Sequence, residues 1–486
     1  MSSFDPDSFD LPLGHFINGR VESSSTGSIA VSRPSDGKQY GELPVAGAVI
    51  VDKAVSAAKA AQAHWAGLQP RERIAILRNW AAKVTEHTAD LARIESATST
   101  RPISDVISGD IPHLVESILF FSELADKRGG SVAPTGTQSF GFTVKEPYGV
   151  IGAILPWNYP LGVAGWKIAP ALAGGNGVVV KPSEMTPASV ILLARLAIEA
   201  GLPVGLLNIV QGTGPETGSL LTRHPDIDKL TFTGSTRAGR LIAEESARHG
   251  LKPLTLELGG KSPQVVFADA DLERAAKAIA RSILNNGGQE CVAGSRVIVE
   301  RSVSAKLTEL LIHNMSAVTP GETWLDTTNY APIVSLRQAQ SVEADIALAL
   351  DNGGKLLAGG QRIPGLKGYF LQPTVISVDS DNNPILQKEI FASALTIQVF
   401  DTEAEAVGRA NSTSYGLAAG LHTNDVSRAL RVMGRLDAGT VWVNRYGRTD
   451  DFIIPTGGFK QSGTGKDLGI EAFDANLRVK SVLMDL

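Results

Sequence analysis

Between residues 149 and 247 the chain alternates short apolar runs with helical segments, joined by loops marked with glycine or proline. The runs are VIGAIL at 150–155, VVV at 178–180, LNIV at 207–210 and KLTFT at 229–233. Neighbouring strands separated by a helix cannot close as hairpins, so the pattern demands a mostly parallel sheet covered on both faces. Ligands of such sheets gather beyond the carboxyl ends of the strands. Residues that stand out chemically lie at those ends: Asn158, Lys181, Glu184 and Ser235. The fold class expected is α/β, with a ligand site at the strand ends.

The rest of the chain is organised around that unit. Residues 1–45 read as an irregular arm with short strands near 16–20 and 28–32, Asn18-Gly19 giving a hairpin signal. Alanine-rich and amphipathic helices follow at 51–66, 71–85, 88–98 and 111–127, with Pro112 acceptable in a first turn. Residues 129–148 are rich in glycine and threonine around the alternating run SFGFTV, and read as an extended arm. Past 253–267, where two short strands flank Gly259-Gly260, further strand and helix units build a second α/β domain. A glycine-rich stretch at 455–465 comes late, and the tail at 477–483 alternates like a strand.

Bulk properties exclude several classes. A chain of 486 residues exceeds what one core supports, so two or three domains are expected. A net charge of −5 leaves no electrostatic footprint for nucleic acid or a polybasic membrane patch. No window is apolar enough to span a membrane, and the acidic first residues lack the build of a signal peptide, so a cytoplasmic protein is expected. The eight histidines form no metal-binding pattern, and one cysteine supports neither a thiolate metal site nor an internal disulfide, so no metal is expected.

That one cysteine, Cys291, sits in GGQECVAG at 287–294. Taken alone it reads as a small buried hydrophobe. The alternative is a nucleophile, with glycines letting backbone N–H groups come close to it. The same choice attends the other candidates: Asn158 is otherwise a turn residue, Glu257 a salt-bridged strand end, and Lys181 with Glu184 an exposed ion pair. Gly212-Thr-Gly214 is not a complete dinucleotide fingerprint.

Over almost its full length the chain resembles the aldehyde dehydrogenase superfamily. The matching segments are PWNYP at 156–160, KPSE at 181–184, FTGST at 232–236, ELGGKSP at 257–263, GGQECVAGSR at 287–296, KEIF at 388–391 and GGFKQSGTG at 457–465. The resemblance implies a Rossmann-like cofactor domain (1–128 with 149–259), an α/β catalytic domain (260–445), an oligomerisation arm (129–148 with 473–486) and a returning segment (446–472) lining the active site. It implies oxidation of an aldehyde to the acid: Cys291 forms a thiohemiacetal, then a thioester, and Glu257 serves as the base that hydrolyses it. Asn158 and the Cys291 N–H would hold the oxyanion, and Lys167 would join the proton network. NAD, with NADP as the alternative, would lie on Trp157, Lys181, Glu184, Gly234, Ser235, Glu389 and Phe391. Ser183, Gly214, Phe232, Leu258 and Gly259 complete that set. Gly162, Val163, Trp166, Glu290, Val292, Arg445 and Thr456 would line the substrate pocket.

Departures from the family pattern leave the substrate open. Ala392-Ser393 replaces the usual Gly-Pro after the KEIF segment, Thr456 replaces an aromatic or hydrophobic residue, and Asn476 a common tyrosine. An arginine at the tunnel mouth would suit a carboxylated semialdehyde, unless Asp450 and Asp451 neutralise it. Trp166, Tyr159 and Phe452 would equally suit an aromatic aldehyde. Transfer to coenzyme A is disfavoured by Glu257, and a cysteine hydrolase by the lack of any local His–Asx signal. A homodimer or homotetramer is expected, because the arm's strand edges need covering.

Overall fold

The computed structural model describes residues 4–8, 10–447 and 452–485. Among these residues two large sheets form, one of eight strands and one of seven. Across the first, the strands run Arg20–Glu22, His15–Ile17, Leu207–Ile209, Gly177–Lys181, Val150–Ile154, Lys229–Thr233, Leu254–Glu257 and Gly463–Thr464. The five from Leu207–Ile209 to Leu254–Glu257 are parallel. The four apolar runs thus became neighbouring strands. Val150–Ile154 pairs with Gly177–Lys181 on one side and Lys229–Thr233 on the other, so the order reverses there and a crevice opens at its carboxyl end.

The amino-terminal segment departs from the irregular arm expected of it. Asn18 (φ 52) and Gly19 (φ 72) close a hairpin, and Phe16 pairs with Ile209, extending the main sheet. Phe16 and Ile17 are buried, which explains the docking: two large apolar side chains in three residues outweigh the polar flanks.

Helices cover both faces. Ala48–Gly67 and Thr236–Arg248 pack one side, while Pro70–Glu86, Thr88–Thr98, Ile111–Leu124, Pro160–Ala173 and Ser189–Glu199 pack the other. The two largest buried side chains are satisfied as well as packed: Trp65 Nε1 donates to Leu172 O at 2.8 Å and Trp80 Nε1 to Leu193 O at 3.1 Å.

The second sheet runs Lys355–Ala358, Thr374–Ser377, Ala394–Phe400, Arg296–Glu300, Pro263–Val266, Ala418–His422 and Thr440–Val443, parallel except at its first pair. Gly259-Gly260 lies between Leu254–Glu257 of the first sheet and Pro263–Val266 of the second. Chain returning from the second sheet reaches the first at Gly463–Thr464, which pairs with Leu254–Glu257.

A third sheet joins Leu477–Asp485, Ser139–Pro147 and Val132–Ala133. Its nine-residue register from Leu477–Pro147 to Asp485–Ser139 is unbroken. Phe473 and Asn476, just before it, are buried, and Asn176 Nδ2 donates to Asn476 O at 2.9 Å. The tail is thus tied towards the first sheet through the Asn476 main chain, while the Asn476 side chain turns back to donate to Ala472 O at 2.8 Å. Among the described residues no helix is long and apolar enough to cross a membrane, and no group of acidic, histidine or cysteine side chains is arranged to hold a metal.

Candidate active site

Three segments meet at the seam between the large sheets. The first leaves Val150–Ile154 at the topological switch and carries Asn158 just before Pro160–Ala173 begins. Asn158 is buried, and its Nδ2 donates to Gln289 O at 2.9 Å, two residues before Cys291. The second is Glu257-Leu258-Gly259-Gly260. A Cβ on Gly260 would overlap Cys291 O, so only glycine admits this approach. The third is the Cys291 loop, which follows Leu272–Leu284. Val292, next to the cysteine, is buried, and Tyr446 Oη donates to its carbonyl at 2.5 Å.

Glu257 ends its strand with a buried side chain. Gly234 N–H donates to its carbonyl at 3.0 Å, and a Cβ on Gly457 would stand 2.7 Å from Oε1. The late glycine-rich stretch is therefore folded directly onto this carboxylate. Lys466 Nζ donates to Gly457 O at 2.8 Å and fastens it there. Beneath, Lys167 Nζ pairs with Asp467 Oδ2 at 2.5 Å, both side chains buried. Thr456, also buried, exchanges backbone hydrogen bonds with Asp467 at 2.7 and 2.9 Å. Lys229 lies close to this pair and donates to Thr255 Oγ1; burial, reinforced by Lys167, pushes its ammonium down to about 8.

The other strand-end residues lie along the first sheet. Lys181 is buried, donating to Pro182 O at 2.8 Å and Glu184 Oε2 at 3.1 Å; burial lowers its pKa against the pull of Glu184. Ser183 Oγ accepts from Met185 N–H. Ser235 is the exposed N-cap of Thr236–Arg248, its Oγ accepting from Ala238 N–H at 3.2 Å. Gly234 fits against the Phe232 ring, and Gly239 one turn on fits against Leu258. Gly214 opens the short turn Gly214–Gly218, capped by Thr213.

Glu389 approaches from the second sheet. Its Oε1 accepts Gly260 N–H at 2.9 Å, and a Cβ on Gly259 would overlap its carboxylate. Burial pushes its pKa up to about 7, against the Gly260 N–H and nearby Lys261. Phe391 has φ 58, a conformation costing a non-glycine residue about 1–3 kcal/mol, and its ring meets Trp157 edge-on at 5.3 Å. Ala392-Ser393 then explains Gly288, since a Cβ there would overlap the Ala392 backbone. Ser393 Oγ donates to Ile283 O at 2.8 Å, anchoring the helix before the Cys291 loop.

The family model for the aldehyde dehydrogenase family matches residues 21–482. The chain belongs to the aldehyde dehydrogenase family. Among solved structures it is similar to the P. syringae indole-3-acetaldehyde dehydrogenase AldA, a mutant in complex with NAD+ and IAA: 37% identity, 99% of this chain and 98% of that one, TM-score 0.97. A gamma-glutamyl-gamma-aminobutyraldehyde dehydrogenase from Burkholderia cenocepacia J2315 shares 40% identity over 99% of this chain and 98% of its own, with TM-score 0.96. The aldehyde dehydrogenase KauB from Pseudomonas aeruginosa shares 36% over the same fractions, with TM-score 0.97.

In this aldehyde dehydrogenase the expected pocket residues divide. Gly162, Val163 and Trp166 follow one another along Pro160–Ala173, the first two buried. Trp166 Nε1 donates to His113 Nε2 at 2.8 Å, and His113 packs on Phe452 with ring centroids 4.4 Å apart. Glu290 accepts from Asn285 Nδ2 at 3.2 Å, beside Tyr159. Arg445 is exposed and donates to Gly447 O at 3.3 Å; Asp450 and Asp451, weighed as its neutralising partners, lie outside the described residues. Sequence reasoning missed His113 and Asp467. The acid had a signal, following directly on the glycine-rich stretch; the histidine had none.

Proposed function

We propose that this protein oxidises an aldehyde to its carboxylic acid, taking NAD+ as acceptor and consuming one water. The observation that carries the reading is the convergence of Asn158, the Glu257–Gly260 segment and the Cys291 loop at one seam. In this reading residues 1–128 with 149–259 bind the cofactor, 260–445 form the catalytic domain, and 446–472 return to line the active site. The donor set fits a dinucleotide. The helix start at Ser235 suits the pyrophosphate, Lys181 and Glu184 suit the adenine-side ribose, and Glu389 on its glycine cradle the other ribose. Ser183, Gly214, Phe232 and Leu258 shape that surface, with Gly234 and Trp157 near the pyrophosphate and Phe391 beside the ribose that Glu389 would hold. Glu184 would repel a 2′-phosphate, which favours NAD over NADP.

When bound, NAD+ supplies the two-electron acceptor for the hydride that leaves the carbon held on Cys291. The chain's residues do the rest. Cys291 Sγ, as thiolate, forms a bond to the aldehyde carbon while the carbonyl π pair moves onto oxygen. The Asn158 amide and the Cys291 N–H donate to that alkoxide. Once the carbon has become a thioester, Glu257 takes a proton from water. The oxygen adds, the C–S bond breaks, and the acid leaves with Cys291 restored as thiolate. Lys167 and Asp467 offer the proton a route away from Glu257.

Trp166, hydrogen-bonded to His113, which in turn packs on Phe452, favours an aromatic substrate over a carboxylated one. A panel of short aliphatic, aromatic, amino and carboxylated aldehydes with NAD+ and NADP+ tests both points. We expect reduced nicotinamide and free acid in equal amounts, with kcat/KM highest for aromatic aldehydes and NAD+. No turnover with any aldehyde, and no cofactor binding, would sink the assignment.

Glu389 gives a pH signature. With its pKa near 7 the carboxylate is charged above that value and protonated below it. A carboxylate accepts from a ribose hydroxyl, so KM for NAD+ should rise several-fold from pH 8 to pH 6, and Glu389→Gln should flatten the profile. Identical profiles for the two proteins would remove Glu389 from the ribose.

A dimer or tetramer forms through the third sheet in this reading. Leu477–Asp485 is its edge strand, and Val479, Leu483 and Met484 are exposed along it. Cytoplasmic residence fits a lone cysteine that must stay reduced.

A further inference from the structure

We infer that Asn286 is a positioning residue that fixes the oxyanion amide of Asn158, and that Thr100 fixes Asn286 in turn. This rests on the roles proposed above for Asn158 and Cys291. Asn286 stands in the left-handed region (φ 48, ψ 34), which asparagine tolerates better than most residues with side chains. Gly287 (φ 62) and Gly288 (φ 75) continue in it. The chain therefore coils back on itself. Gln289 N–H donates to Asn286 O at 3.2 Å, and Gln289 Nε2 to the same oxygen at 2.8 Å.

This turn grips Asn158 at both ends. Asn286 Nδ2 donates to Asn158 O at 2.8 Å, and Asn158 Nδ2 donates to Gln289 O at 2.9 Å. An amide is planar, so holding one N–H on Gln289 O sets the plane in which the other points. Thr100 Oγ1 donates to Asn286 Oδ1 at 2.7 Å, which decides which end of the Asn286 amide faces Asn158. Thr100, Asn158, Asn286 and Gln289 are all buried, so water cannot replace these bonds.

The competing reading is that Asn286 merely satisfies a buried loop. That loop, however, has an anchor of its own: Gln289 Nε2 also donates to Pro332 O at 2.9 Å, and Val334 N–H donates to Gln289 Oε1 at 2.9 Å. Those bonds stay within the second α/β unit, which carries the Cys291 loop. The Asn286 amide instead reaches across the seam, to the two residues on the far side that set the amide's aim.

The test is a double-mutant cycle read as the NADH burst rate of the full-length enzyme. Asn286→Asp keeps the acceptor for Thr100 but turns an oxygen towards Asn158 O. We expect the burst rate to fall about ten- to a hundredfold, the size of a small misplacement, with KM for NAD+ within about twofold. In the Asn158→Ala background the same change should cost less than about twofold, because the group it positions is gone. Thr100→Val should behave the same way with a smaller loss, and carries the cycle if Asn286→Asp does not fold. Equal losses in both backgrounds, or an unchanged burst in Asn286→Asp, would overturn the inference while leaving Asn158 in place. An unchanged burst in Asn158→Ala would remove the oxyanion assignment beneath it.

Discussion

Replacing Cys291 by Ala is expected to abolish hydride transfer and to leave cofactor binding and stability nearly intact. On the proposed mechanism this thiol holds the aldehyde carbon covalently, and the chain has no second cysteine to stand in for it. Without the tetrahedral adduct there is no carbon from which hydride can leave. The oxyanion donors then have nothing to hold. Loss of at least about four orders of magnitude in kcat is expected, roughly 5 kcal/mol on the barrier. The stability cost should be small, because Cys291 is only half-buried and its loop is held by other groups. Gly260 packs on its backbone, Tyr446 holds Val292 O, and Gln289 spans to Pro332 and Val334. Stopped-flow absorbance of reduced nicotinamide, a binding titration with NAD+ and a melting curve separate these effects. A burst surviving at one-tenth of the wild-type rate would show that the nucleophile lies elsewhere.

How much of this could be read from the chain depended on distance along it. The parallel strands were legible because VIGAIL, VVV, LNIV and KLTFT each carry enough apolar residues to signal a buried strand locally. The docking of His15–Ile17 onto that sheet was not, since three residues amid polar neighbours say nothing about where they pack. Asn158, Glu257 and Cys291 could be named from their motifs, yet the reason they meet lies in glycines. Gly260 admits the Cys291 backbone, Gly457 admits the Glu257 carboxylate, and Gly288 admits Ala392. A glycine in sequence shows freedom, not what will press against it.

Buried charge was the least legible feature. Arg101, on which the sequence raised no expectation, is buried, paired with Asp110 at 2.7 and 2.9 Å and set over the Tyr159 ring at 4.4 Å. Lys167 and Asp467 are 300 positions apart and equally buried. Removing one partner of such a pair strands a charge out of water, at a cost of about 3–5 kcal/mol. Lys167 could be named from the resemblance, but nothing local in the sequence pairs it with Asp467, or Arg101 with Asp110. Both surround the reaction seam, where a fixed buried charge steadies neighbouring side chains without contact with solvent.

The second large effect falls on Glu257, and it divides the reaction in time. Glu257→Gln keeps the shape and one acceptor of the side chain, so the fold onto Gly457 should survive. What it removes, on the proposed mechanism, is the base. Addition of Cys291 and loss of hydride need no proton taken from water; thioester hydrolysis does. The first turnover should therefore give close to one reduced nicotinamide per active site at near the wild-type rate. Steady turnover should then fall by about 10²–10⁴, the usual weight of a general base. The acyl group would accumulate on Cys291, detectable as an intact-mass increase matching the aldehyde's acyl group. Added hydroxylamine, which needs no base to attack a thioester, should restore part of the turnover. If burst and steady rate fell together, Glu257 would be acting before hydride leaves, as the group that deprotonates Cys291. That outcome would move the base one step earlier and leave the water-activating role to another residue.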